Sequence, residues 1–374
     1  MTIEQLAKQL EQALGDRLPP EWRETYRTVP RHLFLPDHAW RAADGDRGTT
    51  PIDRQVDPEG WLAAAYSEDI IITQRDGDGR STSSCSMPFM VFSMLGLLDV
   101  QPGHRVLEIG TGTGWNAALL AHRLGDPSVY TIEIDPEIAA AARAGLARAG
   151  QAPTVIAADG AVGYLAGTPY DRIIATCTVH KVPYAWVEQT RPGGIIVTPL
   201  GTPLDSGAII RLVVDDDGAA SGRFQLAASF MMLRSQQFTA PDEPDDFAER
   251  ADISKPVVDI AAVFDDEAAL AIGHLVPECK VAYDYTDDGI IETVWLLAKD
   301  SWASVHLSTT VRQLGRRRLW DEVETAYRWW EAAGRPEFTR FGVTVTRGRQ
   351  WVWLDEPDQP VPTRHGYSGQ SRQD

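Results

Sequence analysis

The residues best suited by type and spacing to do chemistry lie in Val106-Leu-Glu-Ile-Gly-Thr-Gly-Thr-Gly-Trp115. An apolar run leads into Gly110, Gly112 and Gly114, and helix-forming residues follow. Glycine lets the backbone enter left-handed turns and approach a ligand with no Cβ in the way. Amides at a helix start then favour the negative end of that ligand. The spacing is G-x-G-x-G rather than the G-x-G-x-x-G of dinucleotide folds, and Glu108 precedes it by two. This combination points to S-adenosylmethionine, with S-adenosylhomocysteine as its product, rather than to a nicotinamide. Glu133 closes the next apolar run, where a carboxylate can accept from both ribose hydroxyls. Asp135 is the neighbouring candidate, with its side chain on the other face if the strand continues. Asp159-Gly160 ends the third run and suits the adenine amino group. Each acid alone also reads as a loop carboxylate or a helix cap. Their order along the chain makes one cofactor site of Glu108, Gly110, Thr111, Gly112, Glu133, Asp159 and Gly160.

Such a site needs a sheet with helices between its strands. Strands are expected at 105–109, 129–134, 154–157, 172–176 and 194–198, and helices at 115–124, 136–149 and 184–189. Strand and helix alternating at this tempo mean a parallel, doubly wound α/β sheet. Residues 208–214 and 223–233, joined by DDDGAASG, read as an antiparallel hairpin that closes it. Ahead of the sheet, residues 2–14 carry Ile3, Leu6, Leu10 and Leu14 at helical spacing. The stretch 18–80 is rich in Pro, Gly and Asp and reads as a lobe of short elements.

Four segments are expected in all. Residues 1–239 hold the N-terminal lobe and the methyltransferase domain, and 240–252 are an acidic linker. Residues 253–362 are an accessory α+β domain, and 363–374 a disordered tail. The accessory domain carries seven of the twelve tryptophans, more than a disordered segment would hold. They read as core rather than as an exposed aromatic platform. A helix is expected at 319–333, with Leu319, Val323, Ala326 and Trp330 on one stripe, and a hairpin at 343–354.

The formal net charge of −18 argues against nucleic acid as a partner, because phosphate binding rests on clustered Lys and Arg. No apolar run is long enough to span a membrane, and the N-terminus lacks a secretory pattern. Cys85, Cys177 and Cys279 lie too far apart for a paired framework or a zinc set. Together these features lead us to expect a cytoplasmic protein with no bound metal; the oligomeric state stays open.

Several motifs in order resemble the protein-L-isoaspartate O-methyltransferase family. Val29-Pro-Arg-His-Leu-Phe-Leu-Pro36 is similar to the family's V-P-R-x-x-F-x-P. Residues 107–120 resemble its cofactor motif, with Trp115 where a tyrosine is usual. Tyr170-Asp171, Lys181-Val-Pro183 and Arg191-Pro-Gly-Gly194 continue the series, and 230–233 resemble the strand at its substrate cleft. The resemblance implies a class I S-adenosylmethionine methyltransferase fold, Rossmann-like, with a seven-stranded, mostly parallel sheet and here an additional C-terminal α+β domain. It also implies that Ser86 takes the place of the family's active-site serine, with Ser83, Ser84 and Phe230 on the substrate side. From spacing alone, the serine cluster would read as a polar cap on the following helix.

Where the family has G-x-T-I-S-x-P, this chain has Thr82-Ser-Ser-Cys-Ser-Met-Pro88. That stretch, with the C-terminal region, resembles a branch that tailors ribosomally made peptides such as graspetides and lanthipeptides. The implied substrate is an aspartate side chain of a cyclised precursor peptide, whose methyl ester collapses to an aspartimide and on to isoaspartate. The alternative is repair of isoaspartyl residues in damaged proteins. Either carboxylate is ionised at neutral pH, its ordinary pKa being about 3.9. Alignment of oxygen, methyl and sulfur is then the main demand, not a strong base. Other residues read more plainly: His180 as a surface histidine, Cys85 as no nucleophile, and Arg312 with Arg316–Arg318 as a solvated helix end rather than a hold for an acidic peptide.

Overall fold

The computed structural model describes residues 1–42, 48–239, 241–286, 288–306 and 310–362. The chain forms two compact units. The first holds residues 1–177, 183–198 and 213–218, and the second holds 178–182, 199–212 and the chain from Ala219 onward.

The first unit opens with α1 (Ile3–Leu14). Thr2 and Gln5 form a reciprocal capping box at its start, and Leu6, Leu10 and Leu14 are buried. Ile3, expected on the same stripe, is exposed, since it belongs to the first turn. The Pro- and Gly-rich lobe contains α2 (Arg23–Thr28) and α3 (Pro58–Ala65) with four strands. These are β1 (His38–Ala42), β2 (Thr49–Asp53), β3 (Ile71–Arg75) and β4 (Ser81–Cys85), in the order β2-β1-β3-β4, antiparallel throughout. The serine cluster is therefore a strand and not a helix cap. Helix α4 (Pro88–Leu98) starts at Met87 with Pro88 in its first turn and takes no side-chain cap.

The parallel strands follow as read from the sequence, with ends shifted by a few residues. They are β5 (Val106–Ile109), β6 (Val129–Glu133), β7 (Thr154–Ala157), β8 (Tyr170–Ala175) and β9 (Thr190–Leu200), ordered β9-β8-β5-β6-β7. Helices α5 (Trp115–Leu124), α6 (Pro136–Arg148) and α7 (Tyr184–Gln189) lie between them in sequence. Strand β5 is buried along its whole length, as a central parallel strand must be. Both β6 and β8 flank it, so the chain reverses its direction of winding beside β5. In folds of this kind ligands bind at that reversal, beyond the carboxyl ends of the strands.

The second unit contains β10 (Ala208–Val214) and β11 (Ala220–Ala227) as neighbours. The closing hairpin is shorter than expected. Beyond Ala227 only an isolated bridge between Thr178 and Met232 remains, because that segment leaves β11 to pair with the loop after β8. Residues 241–246 lead to a helical turn, α8 (Phe247–Arg250), whose Phe247 is buried beside Trp295. An antiparallel sheet follows, built from β12 (Asp252–Ser254), β13 (Lys280–Tyr285), β14 (Ile291–Ala298), β15 (Ser301–His306) and β16 (Thr310–Gly315). Its order is β12-β16-β15-β14-β13. Short α9 (Ile260–Val263) precedes α10 (Asp266–Leu275), and α11 (Leu319–Ala332) buries the expected stripe of Leu319, Val323, Ala326 and Trp330. The last hairpin, β17 (Phe341–Thr346) and β18 (Arg349–Leu354), returns to pair with β11. Trp320, Trp330 and Trp353 are core residues, while Trp295, Trp302, Trp329 and Trp351 are half-buried. The expected tail at 363–374 lies outside the described residues. No helix among those described is long and apolar enough to cross a membrane.

Gly222 of β11 shows how tightly this unit is built: a Cβ there would overlap the Arg211 carbonyl of the neighbouring strand. Gly222→Ala is expected to cost about 1–3 kcal/mol through forced separation of the strands. The control Gly77→Ala, in open space, is expected to leave the thermal midpoint unchanged. Equal midpoints for the two variants would contradict this packing.

Candidate active site

The glycine loop leaves β5 at its carboxyl end and enters α5. Gly110, Gly112 and Gly114 have φ of 91°, 52° and 89°, which side chains with a Cβ rarely tolerate. A Cβ on Gly110 would also stand 2.9 Å from the Thr176 hydroxyl, and one on Gly112 3.4 Å from the Ser84 carbonyl oxygen. The loop is thus a cradle with no room for side chains. Thr111 is buried and shares a 2.6 Å hydrogen bond with Thr131.

Beneath the loop, Glu108 is fully buried. Asn116 donates to one carboxylate oxygen at 2.7 Å, and the Thr131 hydroxyl donates to the other. Burial pushes its carboxyl up to about 7, against the opposing pull of those donors. With both oxygens taken, Glu108 braces the loop from below rather than facing a ligand.

Glu133, at the end of β6, points at the loop. One oxygen accepts from the Gly112 amide at 2.9 Å and the other from the Asp135 amide at 3.1 Å. The neighbouring acid does point elsewhere: Asp135 caps α6, accepting from Glu137 at 2.9 Å and Ile138 at 3.3 Å. Asp159 follows β7, half-buried, and accepts from Ala161 at 2.9 Å. Gly160 must be small because a Cβ there would overlap Ile109, and its carbonyl accepts from the buried Trp186 indole at 2.8 Å. Cys177 lies close enough to Glu133 and Asp159 to feel both charges. Burial, with those carboxylates, pushes its thiol up to about 12, which keeps it protonated and inert.

The serine strand β4 runs beside this cradle. Alternation along a strand sends neighbours to opposite faces. Ser83 is buried and its hydroxyl accepts from Thr73 at 3.2 Å. Ser84 is half-buried on the other face, with its carbonyl against Gly112. Ser86, just past the strand, is half-buried, and its hydroxyl has no partner among the described residues. Its backbone is fixed by Arg31, a residue whose role the sequence did not disclose. That buried guanidinium donates to the carbonyls of Ala65, Ser67, Asp69, Cys85 and Ser86 at 2.9 to 3.3 Å. It also stands 5.4 Å over the Trp115 ring. Gln74, equally unforeseen, joins β4 to Asp135.

The remaining candidates are described by their own surroundings. Phe230 belongs to the second unit, half-buried, and its carbonyl accepts from the Thr178 hydroxyl at 3.0 Å. His180 is half-buried rather than on the surface, with Nδ1 3.1 Å from the Gly201 carbonyl, and burial lowers its basicity. Cys85 is buried. Arg317 and Arg318 are engaged by Glu322 and Asp252. Arg312 lines a cleft in the second unit with Trp295, Ser304 and His306.

Parallel sheet, glycine cradle and ordered acids define a class I S-adenosylmethionine-dependent methyltransferase. The profile of the family described as protein-L-isoaspartate(D-aspartate) O-methyltransferase (PCMT) matches residues 50–237, and the chain belongs to that family. It is an S-adenosylmethionine-dependent carboxyl O-methyltransferase. The protein-L-isoaspartate O-methyltransferase 2 of Archaeoglobus fulgidus is 34% identical over 235 residues, 62% of this chain and 93% of its own. That of Thermococcus onnurineus is 45% identical over 184 residues, 48% of this chain and 70% of its own. A solved structure of a protein-L-isoaspartate O-methyltransferase covers 95% of this chain and 100% of its own, at TM-score 0.54 and 20% identity. That last likeness concerns fold alone. It extends through the C-terminal region.

Because the Glu108 carboxyl is raised from 4.5 to about 7, the folded protein holds a proton there that the unfolded chain has released. Ionising it therefore removes stability as pH rises through that window. Thermal midpoints measured from pH 5 to 7.5 are expected to fall more steeply for the wild type than for Glu108→Gln. Parallel curves would mean that Glu108 is already ionised at the lower end.

Proposed function

We propose that the chain methylates the free carboxylate of isoaspartyl residues in proteins and peptides. The observation that carries this reading is the seat of β4 against the cofactor cradle, with the Ser84 carbonyl at Gly112 and, two residues on, the Ser86 hydroxyl, which has no partner among the described residues. Membership of the family and the names of its relatives support it.

S-adenosylmethionine, when bound, supplies an electrophilic methyl group on a sulfonium sulfur. Gly110, Thr111 and Gly112 are the backbone that would hold it, with Glu133 for the ribose hydroxyls and Asp159 for the adenine. The residues of this chain have little proton chemistry to do, since the acceptor is an ionised carboxylate at neutral pH. Their work is to orient it and keep water out. Ser86 can donate one hydrogen bond to the acceptor carboxylate. The Arg31 bonds to the Cys85 and Ser86 carbonyls hold that hydroxyl in position.

A second reading is favoured by one observation: the departure of Thr82-Ser-Ser-Cys-Ser-Met-Pro88 from the family pattern, on a strand with two irregularities of register. On that reading the acceptor is an ordinary aspartate in a ribosomally made, cyclised peptide, and its ester collapses to an aspartimide. Mass spectrometry of three incubations with S-adenosylmethionine separates the two. The expected result is one added methyl on an isoaspartyl peptide and none on its aspartyl twin. Methylation confined to a cyclised precursor peptide, followed by loss of methanol, would replace the first reading with the second. In either case Ser86→Ala is expected to lower kcat/KM about 10- to 100-fold, as loss of a hydrogen bond to a charged group does. Binding of S-adenosylhomocysteine is expected to persist. Unchanged turnover would remove Ser86 from the mechanism.

A further inference from the structure

The strand that carries the serines and the acid that faces the glycine loop come from distant parts of the sequence, yet one side chain ties them together. Gln74 lies in β3, where the pairing with β4 is irregular on both sides: Ile72 opposes Ser84, Gln74 opposes Ser83, and Arg75 opposes Ser81. Thr73 is thus an extra residue on one strand and Thr82 on the other. Bulges of this kind re-aim side chains and gather beside active sites. Here the Gln74 amide oxygen accepts from the Thr82 hydroxyl at 2.6 Å, and its nitrogen donates to Asp135 at 3.3 Å. The other Asp135 oxygen caps α6, and its backbone amide donates to Glu133 at 3.1 Å. Glu133 in turn receives the Gly112 amide at 2.9 Å. An unbroken series of contacts therefore runs from β4 to the cofactor loop.

We infer that Gln74 is a positioning residue for methyl transfer: it sets β4, and with it Ser84 and Ser86, relative to the Glu133 carboxylate and the glycine loop. The inference rests on the reading above only for the choice of peptide. Its chemistry is specific to an amide, which can accept from Thr82 and donate to a carboxylate at once. A carboxylate in its place would keep the first bond and set two like charges against each other at the second.

The test is Gln74→Glu, alone and combined with Asp135→Asn. Asparagine caps helices as well as aspartate does, and its amide can donate to a glutamate at 74, so the double variant restores one donor and one acceptor in reversed order. Equilibrium binding of S-adenosylhomocysteine is measured by calorimetry, and methyl transfer on whichever peptide the wild type accepts. Gln74→Glu is expected to weaken binding about tenfold and to lower kcat/KM by at least as much, the scale of one charge-assisted hydrogen bond. The double variant is expected to recover most of both losses, whereas Asp135→Asn alone, which sets an amide nitrogen against that of Gln74, is expected to show a loss of its own. Should Gln74→Glu fail to fold, Gln74→Met, neutral and of similar length, carries the same expected losses in binding and turnover. Wild-type behaviour of the single variant, or a loss that the second substitution does not mend, would overturn the inference. A wild type that methylates none of the peptides would refute the proposed function, while the binding data would still decide the role of Gln74.

Discussion

The buried guanidinium of Arg31 is the interaction on which the first unit depends. A charge so enclosed is costly unless its donors are satisfied. Here the compensation comes from five backbone carbonyls, all bonded to the two terminal nitrogens, and from the face of Trp115, not from a carboxylate, while Nε is left without a partner among the described residues. The carbonyls belong to the end of α3, the turn after it and the end of β4. One side chain from the segment before β1 thereby fixes three stretches of backbone that make no regular ladder with each other. A lysine could not do this, since a compact ammonium offers three donors on one nitrogen where the two terminal nitrogens of a planar guanidinium offer four. The carbonyls that Arg31 holds would otherwise be buried acceptors in need of partners.

What Arg31 fixes on one side, the glycine loop fixes on the other. Gly112 is confined between the Ser84 carbonyl and the Glu133 carboxylate, and only a residue without a Cβ fits at its φ of 52°. The loop is held from below by Glu108, Asn116, Thr131 and Thr111, hydrogen-bonded one to the next, with only the Asn116 amide oxygen left without a partner among the described residues. Buried hydrogen bonds of this kind favour one arrangement of the side chains that make them.

How much of this was legible in the sequence follows from where each signal resides. Parallel strands buried on both faces read as continuous apolar runs; β5, β6, β8 and β9 were visible for that reason, while β7, at the sheet edge and with no buried residue, was visible from its place in the alternation, and with these strands the order of Glu108, Glu133 and Asp159. Arg31 could be seen in its motif, but its partners are carbonyls, which leave no trace in residue types. Gln74 gave no signal, because bulges on both sides of it aim the side chain. Ser83 and Ser84 looked equivalent until β4 formed and alternation separated them. The five-stranded sheet was obscured in a different way. Strand β14 does alternate, with Val294, Leu296 and Ala298 buried, but Trp295 and Leu297 fill the outward positions with further apolar residues. The extended run expected to reach Leu233 stops at Ala227, since which partner a strand finds is a tertiary outcome that propensity does not encode.

Choice of substrate is a question of shape. An isoaspartyl residue and an aspartyl residue present the same ionised carboxylate and differ in the point at which the main chain leaves. No charge in the site can separate them, and the net charge of −18 acts on both alike. A difference of one methylene in the path of the chain is worth about 1–3 kcal/mol to a pocket that reads it, and reading it requires a rigid wall. The β3–β4 hairpin is built as one: Arg31 clamps the carbonyls at its end, and Gln74 ties its bulge to the cap of α6. It is also the segment in which the family's glycine, threonine and isoleucine give way to Thr82, Ser84 and Cys85. Of these, Cys85 is buried and Thr82 is bonded to Gln74, while Ser84 is half-buried on the other face, which makes it the exchange that the proposed function brings to the substrate side. Within this family pattern, a change of substrate would be written there, while the cofactor site, bound by its own network, stays as it is.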